Sequence, residues 1–288
     1  MRTFPLVLLA FGAAVSAQDR KVEPTWLYRD VSAIGERHTD LTSDTCRYTP
    51  IFGEGDVEAR LPLSVARFGE VTVEAHGTCQ TVEYARQEEL YFVSNGSGVL
   101  RYGEESHPLV QNDFTYAPPT VRHSVSNPSG QKLQLVVITV RVSPEASFSQ
   151  PAKLVVANLS ELKEQTVDGH PQSVLYKLLV GPHTGVRDRI NAAYTVADFF
   201  LMDFAPGGTN FPHHHEVAEE IYLVLDGKGQ IVAGGGMDGV EGRHPAKSGD
   251  AYYFRPNCTV GFYNQKAPGA KAHILAVRAF VPMPKNPE

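Results

Sequence analysis

Glu88-Glu89-Leu90-Tyr91-Phe92-Val93-Ser94-Asn95-Gly96-Ser97-Gly98 returns 131 positions later as Glu219-Glu220-Ile221-Tyr222-Leu223-Val224-Leu225-Asp226-Gly227-Lys228-Gly229. A second stretch, Asn112-Asp113 through Pro119 to Asn127, returns as Gly249-Asp250 through Pro256 to Asn264, now displaced by 137. One insertion of six residues in the second copy reconciles the two offsets, and the Gly-rich stretch Gly234 to Gly242 is the place for it. Internal repetition decides the architecture before any local reading does: the chain holds two copies of one domain. Within each copy, short apolar runs such as Leu133 to Val140 and Ala251 to Phe254 are cut about every ten residues by Gly, Pro, Asn or Asp. Helical signals are scarce. The pattern predicts an all-β protein of two tandem antiparallel barrels or sandwiches. The stretch Ser143 to Gly169, with Ser143-Pro144 and Gln150-Pro151, reads as the connector, so that the domains run 18–145 and 151–288.

Residues 207 to 264 resemble the cupin superfamily. The first motif of that family is a Gly, five residues, His-x-His, three or four residues, Glu, six residues and Gly; Gly207, His213, His215, Glu220 and Gly227 fit every spacing. The second motif is Gly-Asp, a Pro-containing turn, a His, three residues and Asn. Gly249-Asp250, Pro256 and Asn264 fit it, but Val260 stands at the His position. The first copy departs in the complementary way: it keeps Glu89, Gly96, Asp113, Pro119, His123 and Asn127, while Val82 and Tyr84 replace His-x-His. The resemblance covers nearly all of the chain beyond residue 60 and implies two jelly-roll barrels, each able to hold a metal in its mouth.

The residues point the same way by themselves. Positions two apart in a strand share a face, so His213 and His215 are expected to turn inward together, with Glu220 joining them after a short turn. Two imidazoles and a carboxylate form a facial set with open positions, suited to one divalent transition metal ion: manganese, iron, zinc or copper. For the fourth position three readings stay open, namely His273, Cys258 or solvent. Tyr222, Phe211 and Phe262 are expected on the same inner face by alternation, and Tyr222 is the candidate donor to a developing negative oxygen. Arg187, Arg189 and Arg278 are candidates for a substrate carboxylate, against the plainer reading of solvated surface. Glu89 and His123 alone predict a structural first barrel without metal.

Composition narrows the rest. Apolar content of 42% over 288 residues supports proper cores. A net charge of −6 and a pI near 6.0 offer no footprint for nucleic acid. Met1-Arg2, an apolar run from Pro5 to Val15 and the small residues Val15-Ser16-Ala17 read as a cleaved leader at 1–17, which predicts a secreted or periplasmic protein beginning at Gln18. The run is too short to span a bilayer. In an oxidising compartment Cys46 and Cys79 can bridge and Cys258 remains odd; three unpaired thiols is the competing reading. The resemblance leaves several activities open. A metal-dependent, dioxygenase-like oxidoreductase on a small organic substrate is the first expectation. A metal-assisted lyase, decarboxylase or isomerase on a sugar acid or small carboxylate is the second. A non-catalytic, ligand-binding pair of barrels, with a homodimer admitted in each case, is the third.

Overall fold

The computed structural model describes residues 23–148, 153–235 and 240–282; the expected leader at 1–17 lies outside the described residues. Among the described residues the regular structure is strand, with two single-turn 3-10 helices at Val31–Ala33 and Leu159–Glu161, and no helix is long and apolar enough to cross a membrane. The first copy builds a six-stranded sheet in the spatial order Val156–Asn158, Asp113–Ala117, Gln87–Asn95, Leu133–Arg141, Val65–Val73, Cys46–Gly53. A three-stranded sheet of Glu105–Val110, Ser97–Tyr102 and His123–Ser126 closes over it. The second copy repeats this with Trp26–Asp30, Asp250–Phe254, Ala218–Asp226, Ala272–Phe280, Val196–Phe204, Val174–Pro182 and the added Ile190–Ala193. Its smaller sheet is Glu241–Lys247, Lys228–Gly234 and Thr259–Asn264.

The division expected between 145 and 151 is crossed in both directions. Trp26–Asp30 leaves the first copy and pairs with Asp250–Phe254 of the second, Trp26 opposite Phe254 and Asp30 opposite Asp250. Val156–Asn158, just ahead of the second copy, pairs with Asp113–Ala117 of the first. Each barrel therefore has its sheet edge covered by the segment that precedes the other copy, which removes two open edges from solvent.

The repeat extends to backbone conformation. Left-handed residues recur at Gly96 and Gly227 (φ 84° and 93°), Asn112 and Gly249 (70° and 85°), and Thr120 and Asn257 (68° and 64°). His76 (60°) occupies the turn that Gly207 (69°) makes in the second copy. The second-motif asparagines have a structural job. Asn127 Nδ2 donates to the carbonyls of Val73, Glu74 and Gln131, and Asn264 Nδ2 to those of Phe204, Ala205 and Ala270.

Alternation splits the paired glutamates. On Gln87–Asn95, Leu90 and Phe92 face the other barrel while Tyr91 and Val93 face inward; on Ala218–Asp226, Ile221 and Leu223 face across while Tyr222 and Val224 face inward. Glu88 and Glu219 thus point at the junction, and Glu89 and Glu220 into the barrels. Both junction carboxylates are fully buried. Glu219 accepts from the backbone N–H groups of Leu63, Ser64 and Val65 at 2.7, 2.7 and 2.6 Å and from the Tyr253 hydroxyl at 2.9 Å. Glu88 does the same with Tyr194, Thr195 and Val196 at 2.7, 2.9 and 2.8 Å and the Tyr116 hydroxyl at 2.9 Å. Burial pushes both carboxyls upward, and the backbone donors oppose it.

Cys46 and Cys79 form a disulfide across 33 residues, and Cys258 is buried outside that bridge. A loop of that length constrains the unfolded chain by about 3–4 kcal/mol. Thiol titration of denatured, unreduced protein should find Cys258 alone; three reactive thiols would contradict the bridge. Glu219→Ala leaves three backbone donors unmatched at about 1–3 kcal/mol for each that stays buried. Urea unfolding of this variant should show a loss of at least roughly 3 kcal/mol, and a change within experimental scatter would contradict the clamp.

Candidate metal centre

The site is built where the ligand loop meets the smaller sheet of the second barrel. His213 and His215 do not lie on a continuous strand, as alternation alone suggested. They sit on an extended loop pinned by backbone bonds: His213 exchanges N–H···O bonds with Val260 at 2.9 and 2.8 Å, and Asn257 N–H reaches His215 O at 2.8 Å. Glycine at 261 permits the approach, since a Cβ there would lie 2.9 Å from Pro212 Cα. The local pairing keeps the spacing that turns both rings the same way. Glu220 reaches them from the strand Ala218–Asp226. Donor atoms of His213, His215 and Glu220 lie within 4.8 Å of one another, the one such cluster among the described residues.

Chemistry as well as geometry fits a cation. The Nδ1–H of His213 donates to Phe211 O at 2.8 Å, which fixes the tautomer and leaves Nε2 as a lone-pair donor. Burial holds the His213 imidazole below its ordinary value, in the neutral form that metals require. Glu220 Oε2 is buried and lacks a hydrogen-bond donor, although His215 Nε2 lies 3.2 Å away off the line of a bond. Burial would raise the Glu220 carboxyl, but His215, Arg278 and His213 around it hold it below the usual carboxylate range. A buried carboxylate oxygen without a donor, beside two imidazoles, is a donor set whose chemistry fits a divalent ion.

The bridge between His213 and Val260 explains how the two copies differ. Its counterpart in the first barrel pairs Val82 with His123, so each barrel carries one histidine at this pair of positions and on opposite sides. In the first barrel His123 Nε2 meets Glu89 Oε2 at 2.7 Å, Tyr91 donates to the same oxygen at 2.9 Å, and Thr139 donates to Oε1 at 2.9 Å. Burial alone would lower the His123 pKa, yet the adjacent Glu89 carries it above the ordinary value. The guanidinium of Arg67, itself buried, stands 3.9 Å from Glu89. Both oxygens of the Glu89 carboxylate thus already have partners within the protein, with a guanidinium close by.

Of the other expected site residues, Tyr222 faces the cavity, fully buried, with its oxygen accepting from Asn210 Nδ2 at 2.9 Å. Burial raises its pKa far above the ordinary value, so it remains a hydroxyl. Phe262 packs in the barrel core on Phe204. Phe211 is a correction: it adopts φ 53° and is exposed, because the pinned loop breaks the alternation that would have turned it inward. Of the open readings for the fourth position, His273 lies away from the site. Ala272, Ile274 and Ala276 take the inward face of its strand, which leaves His273 on the opposite face against Asp203 at 3.3 Å. Cys258 also stands outside the ligand cluster, its Sγ 3.4 Å from Gly234 O. Arg278 and Arg187 line the cavity, whereas Arg189 pairs with Glu161 at the surface.

Sequence reasoning missed His170, Tyr176, Asp198 and Asn210. His170 sits at the end of the connector, its ring edge-on to His213 at 4.9 Å, with Nδ1–H donating to Asn210 O at 2.8 Å. The Tyr176 hydroxyl is buried without a partner in the same cavity. No periodicity marks a connector histidine, and Asp198 is one of two charges in a largely apolar strand, with nothing local to set it apart from Asp203. The cavity offers about 40 Å³ to the centres of water-sized molecules, room for roughly three waters or a group of that size. A broader outer cleft of about 660 Å³ shares Arg187, Asp198, His215 and Arg278 with it.

The cupin domain family model matches residues 69–139 and 200–276, more than half of the chain. This chain belongs to the cupin family. A similar solved structure is the putative glyoxylate-induced protein from Pseudomonas aeruginosa, with a TM-score of 0.72 and 15% identity over 92% of this chain and 93% of that one. The protein Ylba from E. coli follows at 0.66 and 16%, covering 93% of this cupin and 97% of that chain. An oxalate decarboxylase from Lactobacillus farciminis, in a formate complex, gives 0.63 and 10% over 89% and 86%. Identities this low speak to the fold. No curated protein matches the sequence.

Replacing both His213 and His215 by Ala should abolish metal retention in this bicupin while leaving its β-sheet circular dichroism unchanged, since neither ring belongs to a hydrophobic cluster. Elemental analysis checks it. A variant that keeps its metal would refute the assignment.

Proposed function

We propose that this cupin is an exported, metal-dependent oxidoreductase of dioxygenase type acting on a small organic substrate. The observation that carries the reading is the facial set itself: two imidazoles and one carboxylate, with Val260 where a fourth ligand would stand. That donor set with open positions is the arrangement of non-haem iron oxygenases, although nitrogen and oxygen ligands also accept manganese, zinc and copper. A bound ion would supply Lewis-acid or redox chemistry at the open face. Export rests on the leader-like start, and the Cys46–Cys79 bridge supports it.

The chain's own residues define the rest. Tyr176, Phe200 and Tyr222 give the cavity aromatic walls. Tyr222 already accepts from Asn210, so its O–H is left to donate to an oxygen gaining negative charge. His170 donates through Nδ1, which leaves Nε2 as a proton acceptor beside the ligand set. A second reading, metal-assisted decarboxylation of a small carboxylate, draws on Arg278 and Arg187 at the cavity wall and on the likeness to an oxalate decarboxylase.

The test is oxygen uptake by protein reconstituted separately with Fe(II), Mn(II), Zn(II) and Cu(II), offered phenolic, enediol and keto-acid substrates. The expected result is substrate-dependent uptake that falls at least about 100-fold in Glu220→Gln, while substrate binding is less affected. Carbon dioxide release without oxygen uptake would transfer the assignment to the decarboxylase reading. Tight ligand binding by metal-free protein, with no turnover in any metal form, would end the enzyme reading in favour of a binding module.

A further inference from the structure

Three neighbouring strands bring one residue each to the same level of the sheet beside each barrel's inner glutamate. In the second barrel the row is Asp198 opposite Arg278 opposite Glu220. In the first it is Arg67 opposite Thr139 opposite Glu89. Both rows contain a guanidinium, yet they place it differently. Arg67 lies across Thr139 from Glu89, and its closest ion pairs run to carboxylates outside the row. Asp40 and Glu54, which it also meets at 2.7 and 2.6 Å, are themselves half exposed. Arg67 stays buried and adds its charge to the Glu89 site.

Arg278 is adjacent to Glu220, the very carboxylate a metal needs, and would neutralise it if free to turn. Asp198 is what occupies it. Asp198 is buried and accepts from Arg278 Nε at 2.9 Å and from Arg278 Nη2, while Arg187 caps its other oxygen. That leaves Nη1, which reaches His215 at 3.1 Å to Nδ1 and 3.4 Å to Nε2. A guanidinium only donates, so it can approach His215 only at a ring nitrogen that offers a lone pair. A metal on one nitrogen of His215 normally requires the other to carry a proton. The ion and Arg278 therefore compete for His215 as well as for Glu220.

We propose that Asp198 is a positioning residue that makes the second barrel metal-competent, by engaging Nε and Nη2 of Arg278 and so holding the guanidinium off Glu220. This rests on the reading of His213, His215 and Glu220 as the metal ligands. Without the Asp198 charge, Arg278 turns to Glu220, the remaining carboxylate in its row, and Glu220, like Glu89, then has its partners within the protein. The inference concerns occupancy of the site, independent of which reaction follows.

The experiment titrates Co(II) into metal-free full-length protein, following its visible absorption and its competition with a chelator. Asp198→Asn should weaken Co(II) binding at least about tenfold. Asp198→Glu, which keeps the charge, should stay close to wild type. The deciding variant is Asp198→Asn with Arg278→Gln: removal of the guanidinium should restore affinity, whereas a direct charge effect or a folding defect would not be repaired. Unchanged binding in Asp198→Asn overturns the proposal, and so does a double variant as weak as the single one. A wild-type chain that binds Co(II) well while Asp198→Asn does too leaves the metal reading intact and removes only this inference. A wild-type chain that binds no Co(II) overturns both.

Discussion

Two buried carboxylates, Glu88 and Glu219, tie this molecule together. Each leaves its own barrel and takes three consecutive backbone N–H groups and a tyrosine hydroxyl at the junction. A carboxylate in an apolar junction is costly unless its lone pairs are filled, and four donors are what makes the position tolerable. The apolar junction supplies the low dielectric: Phe52, Phe68, Phe92, Tyr253, Leu275 and Val277 pack there as one cluster. Because the donors are backbone groups at the start of Val65–Val73 and Val196–Phe204, the clamps also fix where those strands begin. That register sets Arg67 and Asp198, each two residues further on, in the rows of the inner glutamates.

From that register the asymmetry of the two barrels follows as electrostatics. The scaffold offers each barrel one inward glutamate, and the surrounding charge decides what it does. In the first barrel an imidazole in hydrogen-bond contact and a nearby guanidinium satisfy Glu89. In the second, Asp198 engages the guanidinium, and Glu220 keeps an oxygen without a donor. One barrel thus surrounds its inner glutamate with partners of its own, and the other leaves Glu220 an oxygen without a donor. The aromatic walls and the small cavity belong to the second.

Much of this was legible in the sequence because it is written in period and spacing. The repeat of Glu88 to Gly98 at Glu219 to Gly229 revealed two copies, and alternation placed Glu220 and Tyr222 inward together. The convergence of His213 and His215 on Glu220 was legible even though their backbone is a pinned loop, since bonds to Val260 and from Asn257 preserve the two-residue spacing. Alternation failed at Phe211 for the same reason, where the chain turns through a left-handed conformation. His273 could not be assigned a face without knowing the register of its strand. The edge-strand exchange was hidden because Trp26–Asp30 and Val156–Asn158 are too short to declare a partner, and strand pairing across 220 or more residues leaves no local mark. His170 and Asp198 act through neighbours that only the fold supplies.

The central claim is that one metal site exists and that it lies in the second barrel. Diffraction from crystals of the full chain loaded with Mn(II), recorded for the anomalous signal of the ion, tests it most directly. The account predicts a single strong peak bounded by His213 Nε2, His215 and Glu220, and none beside Glu89, His123 and Arg67. A peak in the first barrel, or none within reach of Glu220, would contradict it.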